Sequence, residues 1–255
     1  MTVDLGAGSA RFVIDGQTVN DTLVAVELVV DGQGDDLLRS GGGDDQFLLA
    51  AGGQDTVSGG IGNDTVWSGV SAETLHGGAG AGDYLSFQNS TAAGTVDLGQ
   101  QTVGGASSHA VGDSIAGFEG AGGSETGDDL LRGGAGANSL RREGGNDMLS
   151  GGAGDDNLRG LANEDWLGGG ADGDVFFVHA RSGDNRIADF TAGEDRIAVG
   201  GFTDQTPGLT TDQWLATLTA QDTDTGLRLT DGDSFGLTLA GLTTASLAAD
   251  YLLIL

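Results

Sequence analysis

The sequence Gly-Gly-Ala-Gly-Asp-Asp-Asn-Leu-Arg at residues 151–159 decides the fold, because near-copies of it recur along the chain at a spacing of nine residues. Residues 59–67 read Gly-Gly-Ile-Gly-Asn-Asp-Thr-Val-Trp and form a second clear copy. A fixed short period of this kind is the mark of a repeat architecture. Twelve copies align, the last six without a break, and they begin at Asp31, Ser40, Ala50, Gly59, Ser68, Gly77, Ser124, Gly133, Arg142, Gly151, Gly160 and Gly169.

Two positions of the phrase are nearly constant, once the copy at Gly77 is allowed one slipped residue. The eighth position is always apolar, and its residues are Leu38, Phe47, Val57, Val66, Leu75, Leu85, Leu131, Leu140, Leu149, Leu158, Leu167 and Phe176. The sixth position is almost always acidic, and its residues are Asp36, Asp45, Asp55, Asp64, Glu73, Asp83, Asp129, Asn138, Asp147, Asp156, Asp165 and Asp174.

The phrase divides into a six-residue turn and a three-residue strand. Glycine at the second and fourth positions permits the positive φ that a tight turn demands. In the strand, the apolar eighth residue points inward and its two neighbours point outward. Two units make one rung, and rungs stack at roughly 4.8 Å, the spacing of paired strands. The period therefore predicts an all-β fold, a right-handed parallel β-roll in which unit n pairs with unit n+2.

Stacking of this kind places the sixth-position carboxylates in a column along each edge of the roll. Two unit charges roughly 4.8 Å apart repel by about 3 to 4 kcal/mol at an effective dielectric constant of about 20, so a cation is needed between them. Carboxylates and turn carbonyls on glycine-rich loops are hard oxygen donors with loose geometry, which suits Ca²⁺ better than Mg²⁺ or Zn²⁺. Pairing of units n and n+2 predicts about eight Ca²⁺ ions, within a range of about five to ten.

The repeats resemble the RTX, or hemolysin-type, calcium-binding β-roll of bacterial proteins exported by type I secretion. Residues 183–197 are similar to the segment that follows this roll in serralysin-type proteins. The resemblance implies that the sixth-position side chains and turn carbonyls hold calcium between neighbouring turns, although Glu73, Asn138 and the slipped Asp83 depart from the pattern. The turn glycines implied as ligands are Gly32, Gly34, Gly41, Gly43, Gly60, Gly62, Gly134, Gly136, Gly152 and Gly154.

The chain divides by repeat and composition. Two irregular segments, residues 1–30 and 87–123, each precede a block of repeats and resemble each other, since Val3-Asp4-Leu5-Gly6 is echoed by residues 96–99. After residue 177 the glycine content falls, the predicted strands lengthen, and a short helix is predicted around residues 213–218. The predicted segments are an irregular β leader at 1–30, the first repeat block at 31–86, an irregular leader or insertion at 87–123, the second repeat block at 124–177, and a β-rich cap at 178–255.

Composition restricts the partners of the chain. The formal net charge is −28, with 38 acidic residues, ten arginines and no lysine, which argues against nucleic acid as a partner. Fifty glycines would otherwise suggest a disordered chain, but the strict period argues against this. Self-repulsion and a thin core instead predict a chain that folds only when cations bind.

No motif predicts catalysis. His76, His109 and His179 are isolated, so a His-Glu-x-x-His zinc site is absent, and neither a P-loop nor a G-x-S-x-G elbow is found. Apolar runs are too short for a membrane span, and the N-terminus does not resemble a cleaved secretory peptide. The family resemblance implies a secreted, extracellular location, export by an ABC exporter, and an uncleaved secretion signal near residues 250–255. A last core strand is an equally good interpretation of those residues.

Two functions remain open from the sequence. The first is a non-catalytic calcium-binding module that folds after secretion, either alone or attached to an enzyme. The second is a module that binds an acidic polysaccharide or a cell surface. The second rests on arginines that follow the apolar position, of which Arg141 and Arg159 are predicted to be neighbours on one sheet face. The same arginines would also serve simply to offset the aspartate columns.

Overall fold

The structure is a computed structural model of the 255-residue chain, and its regular elements are all β-strands in the part described. No helix long and apolar enough to cross a membrane is present among those residues. The chain separates into two compact units, Met1–Gly127 and Asp128–Leu255. The described residues are 1–14, 17–23, 26–105, 109, 112–160, 163–179, 183–200, 217–232, 235–246 and 252–254, without the side chains of residues 14, 21 and 252–254.

The first unit contains two stacks of parallel strands. One stack has the order β13-β9-β7-β5-β1 and continues into the antiparallel strands β2 and β3, while the other has the order β14-β10-β8-β6-β4. Strands β11 and β12 form an antiparallel hairpin. The strands are β1 (Thr2–Asp4), β2 (Ser9–Ile14), β3 (Gln17–Thr22), β4 (Leu28–Val30), β5 (Leu37–Arg39), β6 (Gln46–Leu48), β7 (Thr56–Ile61), β8 (Thr65–Trp67), β9 (Thr74–Ala79), β10 (Tyr84–Ser86), β11 (Gly94–Asp97), β12 (Thr102–Gly105), β13 (Ser114–Ala116) and β14 (Gly120–Gly122).

The second unit has the same design. One stack has the order β16-β18-β20-β22-β26, and the other has the order β15-β17-β19-β21-β25, followed by the antiparallel strands β24 and β23. The strands are β15 (Leu130–Arg132), β16 (Ser139–Arg141), β17 (Met148–Ala153), β18 (Asn157–Gly160), β19 (Trp166–Ala171), β20 (Val175–His179), β21 (Gly183–Ile187), β22 (Arg196–Gly200), β23 (Thr219–Thr223), β24 (Gly226–Thr230), β25 (Phe235–Leu239) and β26 (Leu252–Ile254).

The register confirms the predicted pairing of alternate repeat units. Leu38 lies opposite Val57, and Val57 lies opposite Leu75, so a strand pairs with the strand two units later. In the second unit Leu140 pairs with Leu158 in the same way. Each unit of the chain is therefore a β-solenoid of stacked parallel strands, and the predicted all-β fold class is confirmed.

The core is a set of stacked apolar columns. All twelve eighth-position side chains have no exposed surface. One column continues beyond the repeats, because Ile187 of β21 pairs with Leu167 and Leu239 of β25 pairs with Ile187. The predicted β-rich character of the cap is confirmed in its described strands. The predicted helix lies mostly outside the described residues. Of residues 250–255, 252–254 form β26 and the other three lie outside the described residues.

Close approach of successive turns explains the glycine content. Gly152 has a φ of +116°, and a Cβ built there would lie 2.2 Å from the carbonyl oxygen of Gly134. Gly62 has a φ of +133°, and its Cβ would lie 2.1 Å from the carbonyl oxygen of Gly43. Such a carbonyl lies directly beneath the next turn, so turn oxygens are directed along the stack.

Candidate metal centre

The sixth-position side chains form four columns, two in each unit. Within a column, one side-chain oxygen accepts a hydrogen bond from the backbone N–H of the sixth residue one rung earlier. Asp55 accepts in this way from Asp36 at 2.8 Å, and Asp156 accepts from Asn138 at 2.7 Å. The same bond joins Asp64 to Asp45, Asp83 to Asp64, Asp147 to Asp129, Asp165 to Asp147, and Asp174 to Asp156.

The second carboxylate oxygen in these columns is the informative one. This Oδ2 atom is buried and has no hydrogen-bond partner in Asp55, Asp64, Asp83, Asp156 and Asp174. Oδ2 of Asp165 also has no hydrogen-bond partner, but it lies 2.8 Å from Nη2 of Arg142. A buried carboxylate oxygen without a donor costs several kcal/mol unless a proton or a cation compensates for it. The columns therefore present a series of uncompensated anionic oxygens at regular intervals.

The Oδ2 atom and a carbonyl oxygen of the next rung come close together beside the first residue of a turn, and we call the space beside that residue a cradle. A Cβ built on Gly59 would lie 2.4 Å from Oδ2 of Asp64 and 2.2 Å from the carbonyl oxygen of Gly77, one rung later. A Cβ on Gly151 would lie 2.1 Å from Oδ2 of Asp156 and 2.6 Å from the carbonyl oxygen of Gly169. A side chain at either position would collide with these oxygens, so glycine leaves the space beside them open to a cation, and a carboxylate with turn carbonyls is the kind of oxygen set that calcium takes.

Backbone carbonyls complete the oxygen donors. Among the predicted glycine ligands, the carbonyl oxygens of Gly43, Gly60, Gly62 and Gly152 face the next turn, where a Cβ would approach each to between 2.0 and 2.3 Å. The carbonyl oxygens of Gly41 and Gly134 also face the next turn but accept N–H donors, from Ile61 and Ala153 respectively. A Cβ built on Gly53 would lie 2.5 Å from the carbonyl oxygen of Gly34, and a Cβ built on Gly154 would lie 2.8 Å from the carbonyl carbon of Gly136. Gly32 donates its N–H to Oδ2 of Asp36, and Gly154 donates its N–H to Asp172.

Side chains alone do not enclose a cation here. No three His, Cys, Asp or Glu side chains converge on a single point among the residues the structure describes. Any ion in the columns would be held by pairs of carboxylates together with turn carbonyls, and this is the mixed oxygen set that the sequence predicted.

Burial raises the pKa of several of the column carboxylates, including Asp64, Asp156 and Asp174. Loss of solvation raises the pKa of Asp156 to about 7, and the negative charge of Asp174 adds to the rise, although the N–H of Asn138 opposes it. The same burial raises the pKa of Asp64 and of Asp174 to about 6. A bound cation would favour the charged form and reverse these shifts. A cation bound at these carboxylates would therefore displace protons near neutral pH.

Four column residues lie outside the repeats. Asp113 accepts from the N–H of Glu73, Glu119 from Asp83, Asn185 from Asp165, and Asp195 from Asp174, so each ends a column. The sequence prediction missed them because they are not part of a nine-residue phrase. The signal that identifies them is a polar side chain two residues before a buried apolar one, as in Asp195 and Ile197.

Three sixth-position residues that depart from the repeat pattern, Glu73, Asp83 and Asn138, also lie in the columns. The slipped Asp83 is fully buried, and Asn138 accepts the N–H of Gly134 through its amide oxygen. Glu73 shares its site with Asp113 and the hydroxyl of Ser68, which donates to Glu73 at 3.1 Å. Burial, together with the hydrogen bond and negative charge of Asp113, raises the pKa of Glu73 to about 8.

Comparison with known proteins agrees with this geometry. The RTX calcium-binding nonapeptide repeat matches four times, at residues 26–53, 49–83, 124–149 and 142–176. The solution structure of the AlgE6R3 subunit of the Azotobacter vinelandii mannuronan C5-epimerase is similar over 51% of this chain and 79% of that subunit, with 30% identity and a TM-score of 0.40.

A second similar structure is the extracellular lipase LipA from Serratia marcescens, at 17% identity and a TM-score of 0.30. The similarity covers 89% of this chain, which spans 42% of the length of that lipase. No curated protein matches the chain. The fold and the carboxylate columns define the class, a β-solenoid with calcium-binding repeats. The chain belongs to the RTX calcium-binding nonapeptide-repeat family.

Proposed function

We propose that this chain is an RTX module that folds when calcium fills its carboxylate columns after export by a type I system. The observation that carries the proposal is the buried Oδ2 without a hydrogen-bond partner in residues such as Asp64 and Asp156, which lies beside a first-position glycine and a turn carbonyl of the next rung. The proposed ligands are the sixth-position side chains and the turn carbonyls that face the next rung.

Coupling of folding to binding follows from the charge balance. The chain carries a net charge of −28 and buries its carboxylates in columns, so the calcium-free fold is opposed by self-repulsion. A cell keeps cytosolic calcium low, whereas extracellular modules bind calcium at roughly 10⁻⁴ to 10⁻³ M. The chain would therefore be unfolded during export and folded outside the cell, which supports an extracellular location.

A calcium titration followed by circular dichroism tests this proposal. The chain in chelator should have little β-sheet signal and a large hydrodynamic radius, and both should change cooperatively at roughly 10⁻⁴ to 10⁻³ M calcium. Magnesium is the control cation, and it should act poorly because it demands near-ideal octahedral geometry. A chelated chain with the full β-sheet signal would rule out folding coupled to calcium.

A second candidate function is binding of an acidic polysaccharide or surface. It is favoured by the register of β16 and β18, which places Arg141 directly opposite Arg159 on one sheet face. The simpler role of these arginines is internal, because Arg141 pairs with Glu143 at 3.1 Å and the guanidinium of Arg159 lies 4.4 Å from the ring of Phe177. The double variant Arg141→Ser and Arg159→Ser tests this. If the face binds polyanions, the variant should lose retention on immobilised polyuronate while its calcium-induced folding is unchanged.

A further inference from the structure

One column contains its own cation. Arg142 occupies the first position of its repeat, where Gly133, Gly151, Gly160 and Gly169 stand in neighbouring copies. Its side chain has no exposed surface and is the largest fully buried side chain among the described residues. A buried arginine needs compensating anions, because an uncompensated charge in the interior is very unfavourable.

The guanidinium contacts the same kinds of oxygen that a metal ion would use. Nη1 lies 2.8 Å from Oδ2 of Asp147 and donates to the carbonyl oxygen of Gly145 at 2.7 Å. Nη2 lies 2.8 Å from Oδ2 of Asp165, one rung later in the same column, and the two form an ion pair without the geometry of a hydrogen bond. Two sixth-position carboxylates and one turn carbonyl are thus held by one side chain.

The other column of this unit shows the alternative. Asp156 and Asp174 occupy the equivalent positions there, and Oδ2 of each is buried without a hydrogen-bond partner. The first position between them is Gly151, which leaves the cradle free of side-chain atoms. The two columns therefore contain the same pair of carboxylates, which are ion-paired with a guanidinium in one column and face no side-chain cation in the other.

Other copies confirm that a first-position side chain points at the sixth-position carboxylate. The hydroxyl of Ser40 donates to Oδ2 of Asp45, and the hydroxyl of Ser68 donates to Oε2 of Glu73 at 3.1 Å. The hydroxyl of Ser68 also lies 3.0 Å from Oδ2 of Asp113, the next carboxylate of its column, but a hydroxyl is neutral and compensates neither charge. Arginine is long enough to bridge the carboxylates of two turns, and its fork of N–H donors suits two oxygens at once.

We propose that Arg142 permanently replaces one calcium ion, at the interval between Asp147 and Asp165. This inference rests on the proposed binding of calcium in the columns. It predicts one ion fewer than the repeat count implies, and a rung of the second unit that is held together without metal. The two cations differ in charge, since one guanidinium neutralises one of the two carboxylates, whereas Ca²⁺ would neutralise both.

The first test uses crystals of the full wild-type chain grown in calcium. Anomalous difference density should mark an ion between Asp156 and Asp174 and none between Asp147 and Asp165. Density between Asp147 and Asp165, with the Arg142 side chain displaced, would overturn the inference while leaving the proposed function intact. Absence of density in every column would instead overturn the proposed function.

The second test counts calcium ions by native mass spectrometry. Arg142→Ser introduces the residue that the chain itself uses at positions 40 and 68, and it should bind one ion more than the wild type. Arg141→Ser is the matched control, since it removes the same charge from an exposed neighbour and should leave the count unchanged. A folded Arg142→Ser chain with the wild-type count would contradict the inference. If this variant does not fold in calcium, the anomalous density of the wild type decides.

Discussion

Asp156→Asn should have opposite effects on the fold with and without calcium. Asparagine preserves the volume of Asp156 and the Oδ1 that accepts the N–H of Asn138, but it removes the charge whose Oδ2 has no partner. In chelator the charged carboxylate opposes folding, and in calcium the same carboxylate is a proposed ligand of two ions. The substitution therefore separates the electrostatic cost of a column from its function.

The magnitude without calcium follows from the pKa of the carboxyl. Burial raises the pKa of Asp156 from 3.8 to about 7, which corresponds to on the order of 4 kcal/mol of opposition to folding at pH 8. The amide must also be buried, and leaving one of its polar groups without a partner costs about 1 to 3 kcal/mol. The calcium-free fold of the variant should therefore be about 1 to 3 kcal/mol more stable than that of the wild type.

The magnitude with calcium follows from ligand linkage. Asp156 lies between Asn138 and Asp174 in its column, so it borders two proposed ion intervals. Each ion adds about 2.7 kcal/mol of stability when calcium is at 100 times its dissociation constant. Loss of both ions would remove about 5 kcal/mol, so calcium should stabilise the variant much less than it stabilises the wild type.

The assay is circular dichroism at pH 8 in two conditions. In chelator, a stabilising osmolyte is titrated until the chain folds, and the variant should need less of it than the wild type. In calcium, unfolding by urea should occur at a lower urea concentration for the variant. Asp155→Asn is the control, since Asp155 is exposed and carries the same charge. A variant that needs more osmolyte than the wild type in chelator, or whose response to calcium is unchanged, would refute the reasoning.

Three further predictions follow from the columns. Because burial raises the pKa of Asp156 to about 7, its contribution to the calcium-free fold is present below about pH 4 and is lost as the pH rises through about 7. The chelated chain should thus show more β-sheet by circular dichroism at pH 5.5 than at pH 8, and equal signals would contradict this. Gly152→Ala should lower stability by about 3 kcal/mol or more in urea unfolding in calcium, because its φ is +116° and its Cβ would strike a carbonyl oxygen. Gly136→Ala, with nothing within 4 Å of the new Cβ, should change stability little. Asp174→Asn should raise the midpoint of a calcium titration as much as Asp156→Asn does, because Asp195 continues its column, and a clearly smaller shift would show that Asp195 is not a ligand.

Periodicity made most of the candidate site predictable. A strict nine-residue spacing determines which residue pairs with which, because one slipped residue would turn Leu158 out of the core and Asp156 out of its column. The sixth-position carboxylates, their pairing between alternate units and the buried eighth positions are all found in the structure. The number of bound ions stays a prediction, as do the segment boundaries.

The ends of the columns required the tertiary structure. Asp113 pairs with Glu73 across 40 residues of sequence, and Glu119 pairs with Asp83 across 36. Irregular chain, including the hairpin β11–β12, lies between these partners, so the period that predicts the other pairs is interrupted. Register across such a segment is set by packing of the next apolar residue into the core, which a local pattern does not encode.

The sequence by itself determined the stack, because nine-residue spacing places one apolar and one acidic side chain at fixed points of every half-turn. Only the tertiary structure decided which acidic oxygens face no side-chain cation and which are ion-paired with Arg142. That distinction depends on where the long arginine side chain is directed, between two rungs of one column. A spacing along the chain specifies the rung, but the contacts of a flexible side chain between rungs are specified only by the packed fold.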